Sequence, residues 1–99
     1  MYLMAQMNRG LVKGFAGLKK AFVEGDIIRH IYKKNVRAGT IDKKGYLVSD
    51  ELSFTSLSTF TEYHKNSVVG RPISTNGWKE CEWKNKDTYW RPAYSKRSL

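Results

Sequence analysis

Cysteine is almost absent: Cys81 stands alone in 99 residues. One thiol forms no intrachain disulfide, which excludes the stapled class of small secreted domain and fits a reducing compartment. Acidic residues are also scarce, 9 against 18 Lys and Arg, for a net charge of +9 and a pI near 9.8. That imbalance points to an anionic partner: nucleic acid, an anionic membrane surface or an acidic protein. A solvated basic surface that serves solubility is the plain alternative. No stretch approaches the ~20 apolar residues of a membrane span. Near the start, Arg9, Lys13, Lys19 and Lys20 break the apolar residues, so the continuous apolar region of a signal peptide is missing. An acid-free amphipathic start is also the pattern of an organelle transit peptide. The expectation is an intracellular protein (nucleoid, nucleus or virion), not secreted and without a membrane partner. With 40% hydrophobic and 13% aromatic residues, the chain is not of disordered composition.

Catalytic and metal-binding side chains are thinly represented. A metal site needs three or four Cys, His or carboxylate ligands at workable spacing, and His30, His64 and Cys81 are scattered. Cys81 with a histidine is a formal nucleophile pair. It alternates with charged neighbours, however, and reads as a small buried side chain. His64 falls on the apolar face of a helical pattern and reads as a core histidine. Glu80 and Glu82, in a lysine-rich strand pattern, read as cross-strand salt-bridge partners. No Gly-rich phosphate loop of the strand-to-helix kind occurs. The chain is expected not to be an enzyme, with no cofactor and no metal.

The length fits a single domain over 1–99. Residues 1–8 are expected to form a flexible start. Leu11, Phe15, Leu18 and Phe22, widened by Val12 and Ala16, predict a helix over 11–24. Gly10, Gly14 and Gly17 weaken it and Gly25 suits its end. A core over 26–90 follows. Ile27 to Tyr32 alternates β-branched and polar residues as a strand does. Lys33-Lys34-Asn35 is a polar turn, and 36–41 is a second, antiparallel strand. A turn over 42–45, a strand at Tyr46-Leu47-Val48, a tight turn at Ser49-Asp50-Glu51 and a short strand carrying Leu52 and Phe54 complete a meander. Ser56 is a good N-cap for a helix from Leu57 to about Lys65. The capping box is missing because Thr59 stands where Glu or Gln would close it. Residues 66–75 are expected to be a loop, kept from helix by Gly70 and Pro72. Asn76-Gly77 predicts a tight turn at positive φ. Residues 78–83 then read as the last strand and 84–90 as its hairpin partner after Asn85-Lys86-Asp87. Residues 91–99 read as a basic tail. The predicted class is α+β: a small antiparallel meander with an N-terminal helix and one short Ser-capped helix packed on the sheet.

Basic residues concentrate in two groups. Arg29, Lys33, Lys34, Arg37, Lys43 and Lys44 belong to the first strands and turns, and Lys79, Lys84, Lys86, Arg91, Lys96 and Arg97 to the last part, with Arg71 in the loop between. Such side chains neutralise phosphates and give affinity without reading sequence. Tyr46, Phe54, Trp78, Trp83, Tyr89 and Trp90 are interleaved with them. Aromatic rings stack on exposed bases at ~1–3 kcal/mol each or line a pocket for an extruded base, although Phe54 and Trp78 read more simply as core. A helix N-terminus holds phosphate on its free N–H groups, which makes Ser56 and Ser58 candidate contacts.

Four pieces carry a family resemblance: 18–26 (LKKAFVEGD), 38–48 (AGTIDKKGYLV), 54–60 (FTSLSTF), and Asn76-Gly77-Trp78 followed by Trp83. In this order, over roughly residues 15–84, they resemble the RAMA domain, a module found with restriction enzymes and adenine methylases. They also look like the related short C-terminal domain of some GIY-YIG nucleases. The chain departs from that pattern at Thr59, Phe60 and Thr61, where the family helix carries small residues. Its loop before Asn76 is long, and Trp83 stands further from Trp78 than the family's second Trp does. The resemblance implies an accessory α+β module that binds DNA and senses modified (methylated) bases rather than a catalyst. The expected nucleic-acid contacts are Lys33, Lys34, Arg37, Lys43, Lys44, Ser56, Ser58, Arg71, Asn76, Trp78, Lys79 and Lys84. The 11–22 helix is the candidate surface for a protein partner or a second copy. The rival readings are an assembly subunit of a virion, nucleoid or ribonucleoprotein complex, and a small viral inhibitor that binds an acidic protein.

Overall fold

Residues 18–96 are described by the structure, a computed structural model. Residues 18–21 are helical (α1). Then come β1 (Ile27–Tyr32), β2 (Asn35–Ile41), β3 (Leu47–Ser49), β4 (Leu52–Phe54), α2 (Leu57–Val69), α3 (Gly77–Glu80), β5 (Cys81–Lys84), β6 (Arg91–Pro92) and a 3-10 turn (Ala93–Lys96). The strands form one antiparallel sheet in the order β4-β3-β2-β1-β5-β6. The chain is α+β, with a short helix ahead of the sheet and a Ser-capped helix packed on it, as the sequence pattern predicts.

Turn chemistry sets the register. The β1–β2 hairpin closes through Lys33 and Lys34, and β3–β4 through Asp50 and Glu51, with positive φ at all four residues. Two-residue turns of this kind match the right-handed twist of the strands they join. Because side chains alternate along a strand, β1 buries Ile28 and His30 and turns Ile27, Arg29 and Ile31 the other way. β5 pairs with β1 so that Cys81 and Trp83 share the inner face, while Glu82 and Lys84 share the outer one.

The inner face carries the helices. Leu18 and Phe22 from the α1 segment, Leu57 and Phe60 from α2, and Ala93 from the 3-10 turn bury against Ile28, Ile41, Leu47 and Trp83. Phe60 meets Phe54 edge-on at 5.4 Å, and truncating such a ring to Ala costs about 3–5 kcal/mol. On the outer face Ile31, Val36, Ala38 and Thr40 are exposed, and among the described residues no helix covers them.

Several boundaries differ from the sequence pattern, each for a local reason. α2 runs one turn past Lys65, to Val69. Gly70 is its C-cap at φ 78°, donating its N–H to Asn66 O, so Gly70 terminates the helix rather than preventing it. Asn76-Gly77 is not a positive-φ turn: Asn76 caps α3 by accepting from Lys79 N. Gly77 is required because a Cβ there would run into the Leu57 carbonyl carbon and Ser58 nitrogen of α2. The strand therefore starts at Cys81, not Trp78. Its partner is Arg91–Pro92 rather than 84–90, so residues 91–96 join the sheet and core instead of trailing as a tail. The helix expected over 11–24 ends at residue 21, where Asp26 Oδ2 accepts from Val23 N at 3.0 Å. The remainder of that expectation, the start over 1–8, and residues 97–99 lie outside the described residues. Leu18 and Phe22, the described part of the 11–22 stripe, are consumed by the chain's own core, together with Ala21.

Candidate nucleic-acid interface

The sheet presents lysines at both ends. Lys33 and Lys34 form the exposed tip of the β1–β2 hairpin at φ 48° and 68°. Left-handed backbone crowds a Cβ, and turns of this shape usually carry Asn-Gly. Lys43 and Lys44 ride the next turn, which Asp42 rigidifies. Its Oδ1 accepts from Lys44 N and Tyr46 N at 2.9 Å, and Gly45 takes φ 93°. The seven residues of β2 separate the two tips by about 20 Å. The expected contacts thus do not form one patch.

The other expected contacts divide into free cations and structural groups. Arg71 and Lys79 are exposed. Lys84 lies half-buried with its Nζ 5.0 Å from the Trp90 ring centre. Arg37 is engaged by the Asp50 carboxylate and lies 5.0 Å from the Tyr63 ring. Ser56 accepts the Thr59 N–H at 3.1 Å, and Ser58 Oγ accepts the Gly77 N–H at 3.3 Å. Asn76 is occupied by its cap. Trp78 stacks on Phe22 at 5.8 Å, and Trp83 meets the same ring edge-on at 6.0 Å. Phe22 therefore lies against both tryptophans. Trp83 is buried, its Nε1 donating to Ser95 Oγ, with Arg91 and Lys96 over its ring at 4.0 and 4.8 Å.

Several acids are tied into the fold, while Glu24, Glu51, Glu62 and Asp87 stay exposed. Asp26 is buried and also accepts from Asn85 Nδ2 at 3.0 Å. Glu82 Oε1 takes Arg29 Nε at 2.7 Å, as its cross-strand reading predicts. Glu80 lies on α3 rather than in a strand. Its Oε1 accepts from Lys65 Nζ at 2.8 Å and Thr75 Oγ1 at 3.2 Å, and Oε2 accepts from Asn76 N at 2.9 Å. Lys65 Nζ also donates to Ser74 O at 2.8 Å. Among the described residues, no salt bridge holds Lys33, Lys34, Lys43, Lys44, Arg71, Lys79 or Lys84.

Beneath α2 lies a polar group that composition does not announce. His30 Nε2 is 3.1 Å from Glu80 Oε1, and His30 Nδ1 is 2.8 Å from His64 Nδ1. The rings are 1% and 2% exposed. With Glu80 ionised, His30 carries a proton on Nε2. A neutral His30 then accepts at Nδ1 from the His64 N–H. Burial lowers the His30 pKa against the opposing pull of Glu80. Burial, with the His30 and Arg37 charges, lowers His64 to about 4. Burial alone would raise Glu80, but hydrogen bonds from Lys65, the Asn76 backbone and His30 bring it below the usual value. Burial and the neighbouring Glu80 and Glu82 push the Cys81 thiol up to about 12.

No protein-family model and no curated protein matches the chain. Among the described residues, no group of three or more His, Cys, Asp or Glu side chains is placed to hold a metal ion. No described helix is long and apolar enough to cross a membrane. The sequence reading missed the His30–His64 contact and the outer-face position of Trp90, whose ring lies 4.1 Å from the Arg29 guanidinium. The strand alternation of Arg29 and His30 held the signal for both.

Proposed function

We propose that the chain is a non-catalytic nucleic-acid-binding module, DNA being the favoured ligand, that grips phosphates through the Lys33-Lys34 and Lys43-Lys44 tips and Lys79. The observation that carries this reading is the set of exposed lysines, at the Lys33-Lys34 and Lys43-Lys44 tips and at Lys79, that no salt bridge among the described residues engages, in a chain with 18 cations against 9 acids. Self-repulsion of such a surface favours an anionic polymer as ligand. The left-handed Lys33 and Lys34 add support, because strained backbone tends to persist where the side chains are needed. The order of elements shared with the RAMA resemblance supports DNA and, as a refinement, modified-base sensing. The inward-facing histidines and the Cys81 thiol, with its raised pKa, offer no activated nucleophile or base at the surface.

The test is binding to matched DNA duplexes, with and without N6-methyladenine, across a salt series. Affinity should fall with salt on a slope of about −0.9 per phosphate contacted. A tenfold preference for the methylated duplex would add modified-base reading. No binding at low salt would sink the proposal and direct attention to an acidic protein partner.

A further inference from the structure

We infer that the open sheet face over β1, β5 and β6 is a stacking platform for a single-stranded nucleic acid, with Tyr94 and Trp90 facing bases and Lys79 and Lys84 facing phosphates. The inference rests on the nucleic-acid reading above and adds to its phosphate grip, which a duplex also meets, a face that takes an unpaired strand.

Register places Arg29, Ile31, Glu82 and Lys84 on the face turned away from the helices. At one end, Tyr94 is 57% exposed. It borders an open cleft of about 340 Å³ together with Ile31, Pro92, Glu82 and Lys79. That volume lies within the range of small-ligand clefts, ~300–1,000 Å³. Its walls suit a flat ring: an aromatic face, two apolar side chains, the Glu80 and Glu82 carboxylates as acceptors and a cation at the rim. At the other end, Trp90 lies against the Arg29 guanidinium at 4.1 Å and the Lys84 ammonium at 5.0 Å. Lys84 is a mobile point charge on a long stem, so it can yield the ring to a base and move to the adjacent phosphate. Glu82 is already neutralised by Arg29, and Glu80 by Lys65, so neither carboxylate repels the strand.

Tyr94 sits beside Ile31, and Trp90 sits near the Lys84 that pairs with Ile27. Four residues of β1 span about 13 Å, so the two rings meet different bases of one strand. In a duplex the base faces are covered by their neighbours. Rings on a sheet surface therefore select unpaired bases, the mode used by sheet-based single-strand binders.

The experiment uses the full chain and labelled oligonucleotides of about ten nucleotides, as single-stranded DNA, single-stranded RNA and DNA duplex. Fluorescence anisotropy reads affinity at low salt, and circular dichroism checks folding of each variant. Tyr94→Ala should weaken single-strand binding about tenfold and leave duplex binding within about twofold. Tyr94→Phe, which keeps the ring face, should retain affinity. Trp90→Ala should act in the same direction, and neither variant should alter the salt slope, because no cation is removed. Whichever of DNA or RNA binds tighter, the Tyr94→Ala loss must appear on it. If duplex binds and both alanine variants leave single-strand affinity unchanged, the platform is wrong and the phosphate reading stands. If no nucleic acid binds at low salt, both fall.

Discussion

Lowering the pH from about 7.5 to about 4 should remove about 3 kcal/mol of folding free energy through His64 alone. An unfolded histidine titrates near 6.5, whereas folded His64 titrates at about 4. Between those values the unfolded chain binds a proton that the folded chain refuses. Stability is therefore complete above 6.5, falls as the pH drops through that window, and levels off below 4. At about 1.4 kcal/mol per pH unit, the window amounts to about 3 kcal/mol. The physical cause is first the burial of the ring, which disfavours its charged form, and then the positive charges of His30 and Arg37 beside it. His30, also lowered, adds in the same direction. Glu80, lowered as well, adds stability that is present above its ordinary value and lost as the pH falls below it. Against a total near 5–15 kcal/mol, the loss is large. Urea unfolding at constant ionic strength should show a midpoint that falls with pH at unchanged slope. His64→Leu should cost about 1–2 kcal/mol at pH 7.5, because His30 loses its donor, yet show a flatter pH dependence. A midpoint constant from pH 7.5 to 4.5, or an equal dependence in the variant, would refute the argument.

Three further outcomes are expected. Gly77→Ala should destabilise by about 3 kcal/mol or more, because the clash is with α2 backbone that cannot rotate away. Gly70→Ala, with open space around it and only its φ of 78° to oppose it, should cost about 1 kcal/mol, and comparing the two by thermal unfolding separates crowding from backbone strain. Replacing Lys33-Lys34 by Asn-Gly should raise stability by about 1 kcal/mol while reducing the DNA salt slope by about 2; a raised melting temperature with an unchanged slope would remove the tip from the interface. Cys81, 1% exposed and with its pKa raised to about 12, should resist a thiol reagent at neutral pH until the chain unfolds; rapid labelling of the native protein would contradict that.

The meander and the capped helix were legible because local signals agree with the tertiary fold. The alternation in β1, the polar turns and Ser56 each specify one outcome by themselves. The second half was harder to read because its determinants are contacts between distant residues. Gly77 looks like a turn glycine until α2 is laid against it, and only then is its missing side chain a packing requirement. Arg91-Pro92 looks like a tail until β5 offers an edge to pair with. The candidate site shows the same limit. Arg37, marked by its charge, and Ser58, marked by its place at a helix N-terminus, are each engaged by a residue distant in sequence, whereas Ser56 and Asn76 are engaged as caps within their own first turns. The lysine tips needed no such knowledge, since Lys33-Lys34 is the two-residue turn of a hairpin and Lys43-Lys44 lies in the turn that Asp42 and Gly45 mark.

The distribution of charge joins these threads. A chain with twice as many cations as anions repels itself when compact, and the fold commits several of its few carboxylates to contacts within the chain. Glu80 is committed to Lys65 and His30 beneath α2, Glu82 to Arg29, Asp50 to Arg37, and Asp42 to its own turn. The pairings of Glu80, Glu82 and Asp50 fasten one element to another: α3 to α2 and β1, β5 to β1, the β3–β4 turn to β2. These anions help hold the framework together, and lysines that no carboxylate among the described residues bridges stand at the hairpin tips and on α3. Glu24, Glu51, Glu62 and Asp87 stay exposed, so the two signs are only partly segregated. What stands out is local: the Lys33-Lys34 and Lys43-Lys44 turns project cations that no carboxylate among the described residues bridges, an arrangement that a phosphate ligand would complete.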